Sequence, residues 1–363
     1  MKKAPLSKNS APQKEAALPN SSELPNSSGL LPKGWHEHHH HLLLGGARAA
    51  LERAFGTTLP DFRTFFPLTE TNSRTLNEKN TENHRLLKTS AETSAGTSAE
   101  AIGRLNEWIR RYFAPLCRQP NFLTLAVGAS LEQARADGVT VLEASLGVNF
   151  PFLLHRPAES VLAEIARVHA QTAPEIVLKL DLGFSRALPV SQQKKWFGEM
   201  LDAAERRPEL ASLPGGVDLY DVEDAQPPEH FQALFRMARQ AGLKLKAHVG
   251  EFGSAETIRQ TVEALELEEI QHGIHAAESP SVLRFLAERD VLLNAAPASN
   301  RILHAMEFLP EHPLRRIWDA GVRFTLSTDD FLLFGATITD QFEELRTVFG
   351  PEELTAIQRN CVS

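Results

Sequence analysis

Cysteine is scarce in this chain of 363 residues, which contains only Cys117 and Cys361. Two cysteines cannot build a disulfide framework, and their spacing is not that of a zinc-binding cysteine pair. Long apolar runs are absent too, since no stretch reaches the roughly 18 consecutive apolar residues that a transmembrane helix needs. The residues after Met1 also lack the apolar core of a signal peptide. These absences predict a cytoplasmic protein in a reducing compartment.

Blocks of positive charge are missing as well. The formal net charge is -8, and no basic cluster marks a partner such as a nucleic acid or an acidic membrane. Hydrophobic residues make up 42% of the chain, which is ample material for a core. The composition therefore favours a protein that acts on a small soluble molecule, with no nucleic acid and no membrane as partner.

Two segments differ in composition from the rest of the chain. Residues 1–30 are rich in Ser, Asn, Pro and Lys and contain Leu-Pro-Asn-Ser-Ser twice, which predicts a disordered N-terminal extension. The segment at about 69–100 contains Thr-Ser-Ala three times, and we expect an inserted loop or weak helix there. The predicted folded domain is residues 31–363 with this low-complexity insertion.

From Leu123 onward, short β-rich runs alternate with helical stretches, the pattern of parallel βα units. Apolar residues recur with helical spacing in stretches such as 254–267 and 279–288. With the segment Trp35–Leu42, the candidate strands number eight, and the other seven are Val139–Ala144, Ile176–Leu182, Gly216–Tyr220, Leu243–His248, Glu269–Gly273, Val291–Ala295 and Val322–Ser327. Eight such units predict an α/β fold of the (β/α)8 TIM barrel type.

Histidines and aspartates lie at the ends of several candidate strands. They are His39 and His41, His248, His272, and Asp329 with Asp330. In a TIM barrel, chemistry is carried by residues at the carboxyl ends of the strands. Each residue alone has an ordinary interpretation, as a core or rim histidine or as a turn aspartate. Their joint position at strand ends favours a shared site.

The first histidines belong to a run from His36 to His41, so more than one pair is available. Because side chains of a strand alternate, His39 and His41 share one face and can bind one metal, and the same holds for His38 and His40. The run could also be a surface tract that binds metal loosely. The register of the pair is open at this point.

The residue types at the strand ends favour zinc. Three imidazoles and one carboxylate with an open position suit zinc that holds a catalytic water, whose pKa it lowers to about 7. Glu251 follows His248 closely enough to place a carboxyl group beside a substrate while the imidazole binds the metal.

A set of short motifs, taken in order, resembles the adenosine/AMP deaminase family of zinc aminohydrolases. The motifs are Leu31-Pro32-Lys33 with the His pair, His248-Val249-Gly250-Glu251, His272-Gly273, Pro297-Ala298-Ser299-Asn300 and Ser327-Thr328-Asp329-Asp330. The resemblance covers residues 31–363 apart from the insertion. It implies a TIM barrel, one zinc ion per chain, and hydrolytic removal of the 6-amino group of adenosine or a related purine as ammonia.

The resemblance also implies roles for single residues. The metal ligands would be His39, His41, His248 and Asp329. Glu251 would give a proton to the purine N1 while hydroxide attacks C6, and His272 would orient or deprotonate the water. Asp330 would bind the purine N7 rather than the metal, since neighbouring side chains point apart unless the strand has ended. Gly250 would belong to the substrate-binding segment.

The sequence departs from the family pattern at three places. Leu43 and Leu44 look like an insertion after the first motif, Phe331 stands where proline is common, and Asp221 stands where many adenosine deaminases have glycine. The last change weakens the assignment of adenosine itself. Two alternatives therefore stay open: a deaminase of another amino-heterocycle or N6-substituted purine, and a degraded relative that binds purines without turnover.

Overall fold

The computed structural model describes residues 34–65, 100–305 and 312–362, so the expected extension at 1–30 and nearly all of the insertion at 69–100 lie outside the described residues. Eight parallel strands form one sheet in chain order. They are β1 (Trp35–His41), β2 (Val139–Gly147), β3 (Val177–Ser185), β4 (Pro214–Tyr220), β5 (Lys244–Val249), β6 (Glu269–His272), β7 (Leu292–Ala295) and β8 (Phe324–Leu326). Helices lie between the strands, and the predicted (β/α)8 TIM barrel is confirmed.

The described α-helices span Arg48–Phe55, Phe62–Phe65, 100–108, Phe122–Asp137, Phe150–Leu153, Ala158–Thr172, Val190–Arg206, Gln232–Gln240, Ala255–Leu265, Pro280–Glu288, Pro297–Ile302, Pro313–Asp319, Phe331–Phe334, Ile338–Leu345 and Pro351–Asn360. A π-helical turn lies at Ile109–Phe113, and 3-10 turns lie at Ala114–Arg118, Pro228–Phe231 and Ile274–Glu278. Among the described helices, none has the length and apolar character needed to span a membrane.

The barrel is nearly closed, because β8 lies beside β1. The backbone N–H of Thr328 donates to the Glu37 carboxylate at 2.8 Å across this seam. At the two preceding residues of β1, the His36 N–H donates to the Cys361 carbonyl at 2.8 Å, and Trp35 forms an antiparallel bridge with Val362. Segments that are remote in sequence therefore hold the first three residues of β1.

Alternation along each strand separates an apolar outer layer from a polar interior. In β3, Leu180 and Leu182 are fully buried in the hydrophobic core, whereas Asp181 between them is buried among charged groups. Such strands, covered on both faces, are the rule in parallel sheets enclosed by helices. The interior can thus hold ionic side chains only where they compensate one another.

Lys246 is the centre of a buried ionic group in the barrel interior, which we call the inner cluster. Its Nζ is fully buried and lies 2.8 Å from Asp181 Oδ2 and 3.6 Å from Glu269 Oε2, and it also bonds to the Glu143 carboxylate. Burial would raise the pKa of Glu143 and Glu269, but the charge of Lys246 holds both pKa values below their ordinary range. One ammonium group thus stabilises the charged forms of Glu143 and Glu269, which belong to β2 and β6, whereas burial still raises the pKa of Asp181 to about 7.

We expect Lys246→Met to destabilise the fold by about 3–5 kcal/mol, because the substitution leaves buried carboxylates without their cation. Urea unfolding followed by circular dichroism measures the change. Lys244→Met is the matched control, since Lys244 also contacts Glu143 and Glu269, at 2.8 and 3.1 Å, but its side chain is 41% exposed. The control should cost about 1 kcal/mol or less. Equal losses in the two variants would contradict the central role of Lys246.

Candidate active site

A cavity of about 380 Å³ opens at the carboxyl ends of the strands. Ionisable residues that end or follow strands line one part of it, namely His41, Asp221, His248, Glu251, His272, Asp329 and Asp330. Apolar side chains line another part, including Ile102, Leu105, Ile109, Phe113, Phe150 and Leu153. The barrel therefore brings most of the residues singled out in the sequence to one cavity, and it combines them with an apolar wall.

His41 lies at the centre of an anionic group. Its Nδ1 is 2.7 Å from Asp330 Oδ1 and 3.5 Å from Asp329 Oδ1, and its ring stacks on His248 with 5.4 Å between centroids. Burial lowers the pKa of His41, but the charges of Asp330 and Asp329 outweigh burial and hold that pKa well above its ordinary value. The local field thus favours a cation.

The carboxylates of Asp329 and Asp330 converge on His41 rather than point apart. The reason is local: β8 ends at Leu326, and Asp329 adopts a left-handed backbone with φ 57°. The alternation of an extended strand does not apply there. The directional reason for giving these two residues separate jobs is therefore absent, and the separation of their jobs stays a prediction.

His248 is held from behind by a buried carboxylate. Its Nδ1 lies 3.1 Å from Asp218 Oδ1, and Asp218 Oδ2 accepts a hydrogen bond from the Ser145 hydroxyl at 2.6 Å. Burial pushes the pKa of Asp218 up, but His248 and these hydrogen bonds keep it below its ordinary range. Carboxylates that fix an imidazole through one ring nitrogen are typical supports of metal-bound histidine.

Glu251 and His272 are linked through Asn300. The Asn300 amide Nδ2 donates to Glu251 Oε1 at 3.3 Å and lies 3.0 Å from His272 Nδ1, while His272 Nε2 is 3.7 Å from Glu251 Oε2. Burial, followed by the charges of Asp329, Glu223 and Asp330, raises the pKa of Glu251 well above its ordinary value. Burial lowers the pKa of His272 to about 4. The surroundings thus favour the protonated form of the Glu251 carboxyl group and the neutral form of the His272 imidazole.

The histidine run divides between two parts of the barrel. The side chains of His39 and His40 lie outside the described residues. His38 is buried away from His41, stacks on His36 with 3.8 Å between centroids, and places Nδ1 3.2 Å from Glu269 Oε2. The pairing of β1 with β2 shifts register between Glu37 and His40, so simple alternation through the run is broken.

Gly250 is occupied by protein contacts rather than exposed to the cavity. Its N–H donates to Glu223 Oε2 at 2.7 Å, and its carbonyl accepts from the His275 N–H at 3.1 Å. Its φ is 72°, and a Cβ added there would lie only 2.3 Å from Ile258 Cδ1, so a side chain would not fit. Its assignment to substrate binding stays a prediction.

Glu223 is a support that the sequence did not reveal. Its carboxylate accepts the backbone N–H groups of all four residues from Gly250 to Gly253, at 2.7, 3.1, 3.0 and 3.1 Å. Glu251 lies within this segment, so one carboxylate fixes the backbone that carries it. Asp218 and Asn300 were also given no role, although Asn300 lies in a motif and Asp218 lies on a predicted strand. No local pattern identifies Glu223.

Two overlapping groups of potential metal ligands share His41. In each group, one ligand atom per residue lies within 4.8 Å of the others, and the groups are His41, Asp218 and His248, and His41, Asp329 and Asp330. Nitrogen and oxygen donors of this kind suit zinc. A third group, His36, His38 and Glu143, lies beside Lys246, whose charge disfavours a cation.

Comparison with known proteins agrees with these motifs. The adenosine deaminase family profile matches residues 191–363. A Treponema pallidum protein described as an adenosine/adenine deaminase is 35% identical over 244 residues, which cover 67% of this chain and 79% of that protein.

Solved structures show the same fold. The adenine deaminase of Arthrobacter aurescens has a TM-score of 0.69 at 24% identity, and the alignment covers 91% of this chain and 93% of that one. A zinc-bound amidohydrolase from Burkholderia ambifaria has a TM-score of 0.68 at 20% identity, with 92% and 88% covered.

We expect Glu223→Gln to loosen the segment Gly250–Gly253. The substitution replaces one carboxylate oxygen by an NH2 group, which cannot accept the backbone N–H groups of this segment. Charge-assisted hydrogen bonds contribute about 1.5–3 kcal/mol each, so amide hydrogen exchange at 250–253 should accelerate about ten- to a hundred-fold. Mass spectrometry of exchanged peptides measures this. Asp224→Asn, an exposed neighbour on the same loop, is the control. Unchanged exchange in Glu223→Gln would show that the carboxylate does not hold this segment.

Proposed function

Because the chain belongs to the adenosine deaminase family, we propose that it is a zinc-dependent hydrolytic deaminase that removes the 6-amino group of adenosine or a related purine. Family membership places it among hydrolases that act on carbon–nitrogen bonds of cyclic amidines. One observation carries the proposal. The buried acid Glu251 lines the same cavity as His41, Asp329 and Asp330, which form a group of potential metal ligands.

The donor set at the cavity fits the metal on which the family depends. One zinc ion per chain would be held by His41, His248 and Asp329, with His39 as the fourth ligand. The field that raises the pKa of His41 and the carboxylate behind His248 both support this assignment. Zinc bound there would lower the pKa of a coordinated water to about 7, which makes hydroxide available at neutral pH.

The placement of His38 supports His41 as a ligand. His38 contacts Glu269 in the barrel interior, whereas His41 contacts the groups at the cavity. A ligand pair made of His38 and His40 would need the His38 ring to leave this contact. The proposed pair therefore remains His39 and His41.

Glu251 serves as the acid in this proposal. Since burial and the nearby carboxylates raise its pKa, the protonated form of the carboxyl group is favoured, and this form can give its proton to the purine N1 as oxygen adds to C6. The bond between C6 and the amino nitrogen then breaks, the amino group takes the proton of the added hydroxyl group and leaves as ammonia, and the oxygen stays on C6 as a carbonyl. Asn300 and the segment held by Glu223 keep the carboxyl group in place.

His272 serves as a hydrogen-bond donor to the attacking oxygen. If the Asn300 amide donates to Nδ1, that nitrogen is an acceptor and the proton of the neutral ring resides on Nε2. Nε2 faces Glu251 and Asp329, at 3.7 and 4.0 Å. This arrangement supports orientation of the water and stabilisation of developing charge rather than removal of its proton.

Asp330 is the proposed partner of the purine N7. It is 4% exposed, and it lines the cavity together with Glu251. Contacts from Glu251 to N1 and from Asp330 to N7 would flank C6 on both sides. The reacting carbon would thus be positioned by two carboxyl groups at once.

The direct test is ammonia release from adenosine and adenine by the zinc-loaded protein, with the loss of adenine-type ultraviolet absorbance as a second readout. Release of ammonia with stoichiometric zinc supports the proposal. Tight purine binding without ammonia would instead indicate a binding protein that has lost catalysis.

We expect purified protein to hold about one tightly bound zinc ion, and His41→Ala to lose it, because His41 belongs to both ligand groups at the cavity. His38→Ala is the matched control in the same strand and should keep zinc. Metal analysis of folded protein after dialysis against a weak chelator measures both. Loss of zinc in His38→Ala but not in His41→Ala would move the ligand register.

Glu251→Gln should retain zinc and lower kcat by at least about 100-fold, since an amide keeps the contact with Asn300 but cannot supply the proton. Steady-state kinetics alongside metal analysis measures this. Glu256→Gln, an exposed residue on the following helix, is the control and should behave as the wild type. A kcat near the wild-type value in Glu251→Gln would remove Glu251 from the acid role.

A further inference from the structure

Asp221 is a carboxylate at the cavity that the proposed mechanism does not use. It follows β4 directly, lines the cavity and is half-buried. Its backbone is left-handed, with φ 82°, a conformation that aspartate and asparagine tolerate better than most residues. The position of this carboxylate at the cavity suggests a contact with the ligand.

The Asp221 carboxylate is held in place from one side. The Ser185 hydroxyl donates to Oδ2, and the same hydroxyl oxygen accepts the Ala187 N–H at 3.0 Å, which directs the hydroxyl proton toward Asp221. Within the described part of the chain, no other donor bonds to this carboxylate. Asp221 is therefore a fixed acceptor whose second oxygen has capacity for a donor from a ligand.

The described lining of the cavity is rich in hydrogen-bond acceptors. Four carboxyl groups line it, from Asp221, Glu251, Asp329 and Asp330, whereas none of the described lining residues is lysine or arginine. A phosphate group would meet no lysine or arginine among these residues.

Strand order places Asp221 across the cavity from Asp330. Asp221 follows β4 and Asp330 follows β8, which are four strands apart in a ring of eight. A purine with N1 at Glu251 and N7 at Asp330 turns its N3 and N9 edge toward the β4 side. In a nucleoside, this edge carries the N3 lone pair and no ring N–H. In the free base, it can carry an N–H.

We propose that Asp221 accepts a hydrogen bond from a ring N–H at the N3 and N9 edge, and that the substrate class is therefore the free 6-aminopurine base rather than its nucleoside or nucleotide. This inference rests on the proposed function and specifies its substrate. A carboxylate repels a ring lone pair and attracts a ring N–H, so it discriminates by charge as well as by fit. Ser185 acts as the positioning residue for this carboxylate.

The test compares kcat/KM of the zinc-loaded enzyme for adenine, 9-methyladenine, adenosine and AMP. We expect adenine to exceed 9-methyladenine and adenosine by at least about 10- to 100-fold, because a carboxylate that the bound ligand shields from water and leaves without a donor costs that much. AMP should be the poorest of the four. Turnover of adenosine or 9-methyladenine as fast as that of adenine would overturn the proposal.

Asp221→Asn separates the charge from the size of the side chain. The asparagine oxygen can keep the bond from Ser185, while its NH2 group presents a donor to the ring. We expect kcat/KM for adenine to fall about 10- to 100-fold and that for 9-methyladenine to stay or rise, so that their ratio collapses. Asp224→Asn, exposed on the same loop, is the control. An equal loss for both substrates would show that Asp221 has no role in specificity.

Calorimetric binding of adenine and 9-methyladenine distinguishes failure of this inference from failure of the proposed function. If no purine releases ammonia but adenine still binds at least about tenfold more tightly than 9-methyladenine, and Asp221→Asn removes the difference, Asp221 recognises the free base in a protein without turnover. If the enzyme deaminates purines without preferring adenine to 9-methyladenine, the deaminase assignment is supported and the proposed role of Asp221 is wrong.

Discussion

Buried negative charge that requires a cation is the constraint on which this structure depends. The barrel interior holds Glu143 and Glu269, and the charge of the fully buried Lys246 keeps the pKa of both below the ordinary range. One layer toward the carboxyl ends of the strands, Asp329 and Asp330 meet at His41. Within the described lining of that cavity, no lysine or arginine balances these carboxylates in the way that Lys246 does in the inner cluster. Buried carboxylates are thus balanced by a lysine side chain inside the barrel, whereas the carboxylates at its mouth favour a bound metal ion.

The sequence predicted the barrel because enclosed parallel strands leave a strong signal. Apolar outer positions and polar inner positions alternate, and each predicted strand lies within a few residues of an observed one. The convergence of His41, His248, Glu251, His272 and the two aspartates followed from their positions at strand ends. Alternation failed where the backbone is not extended, at the register shift in β1 and at Asp329 with its positive φ. Those local conformations depend on neighbouring strands, which no window of sequence contains.

Supporting residues were less predictable than the residues they support. Asp218 holds His248, Asn300 links Glu251 to His272, and Glu223 fixes a whole backbone segment. Each contact joins separate strands or loops, and an acid or amide alone in a sequence gives no sign of its partner. Such supporting contacts set orientation and pKa, so they determine whether a cavity with suitable side chains can perform chemistry.

The seam between β8 and β1 has a consequence for the order of folding. His41 and Asp330 are 289 positions apart, and His41 and His248 also come from strands that are not neighbours. Closing so long a loop is entropically costly and slow, so contacts of this kind form late. A metal ion bound as proposed, by residues of β1, β5 and the segment after β8, would not start the assembly of the barrel. It would bind only after β8 has reached β1, and it would then stabilise the closed seam against reopening.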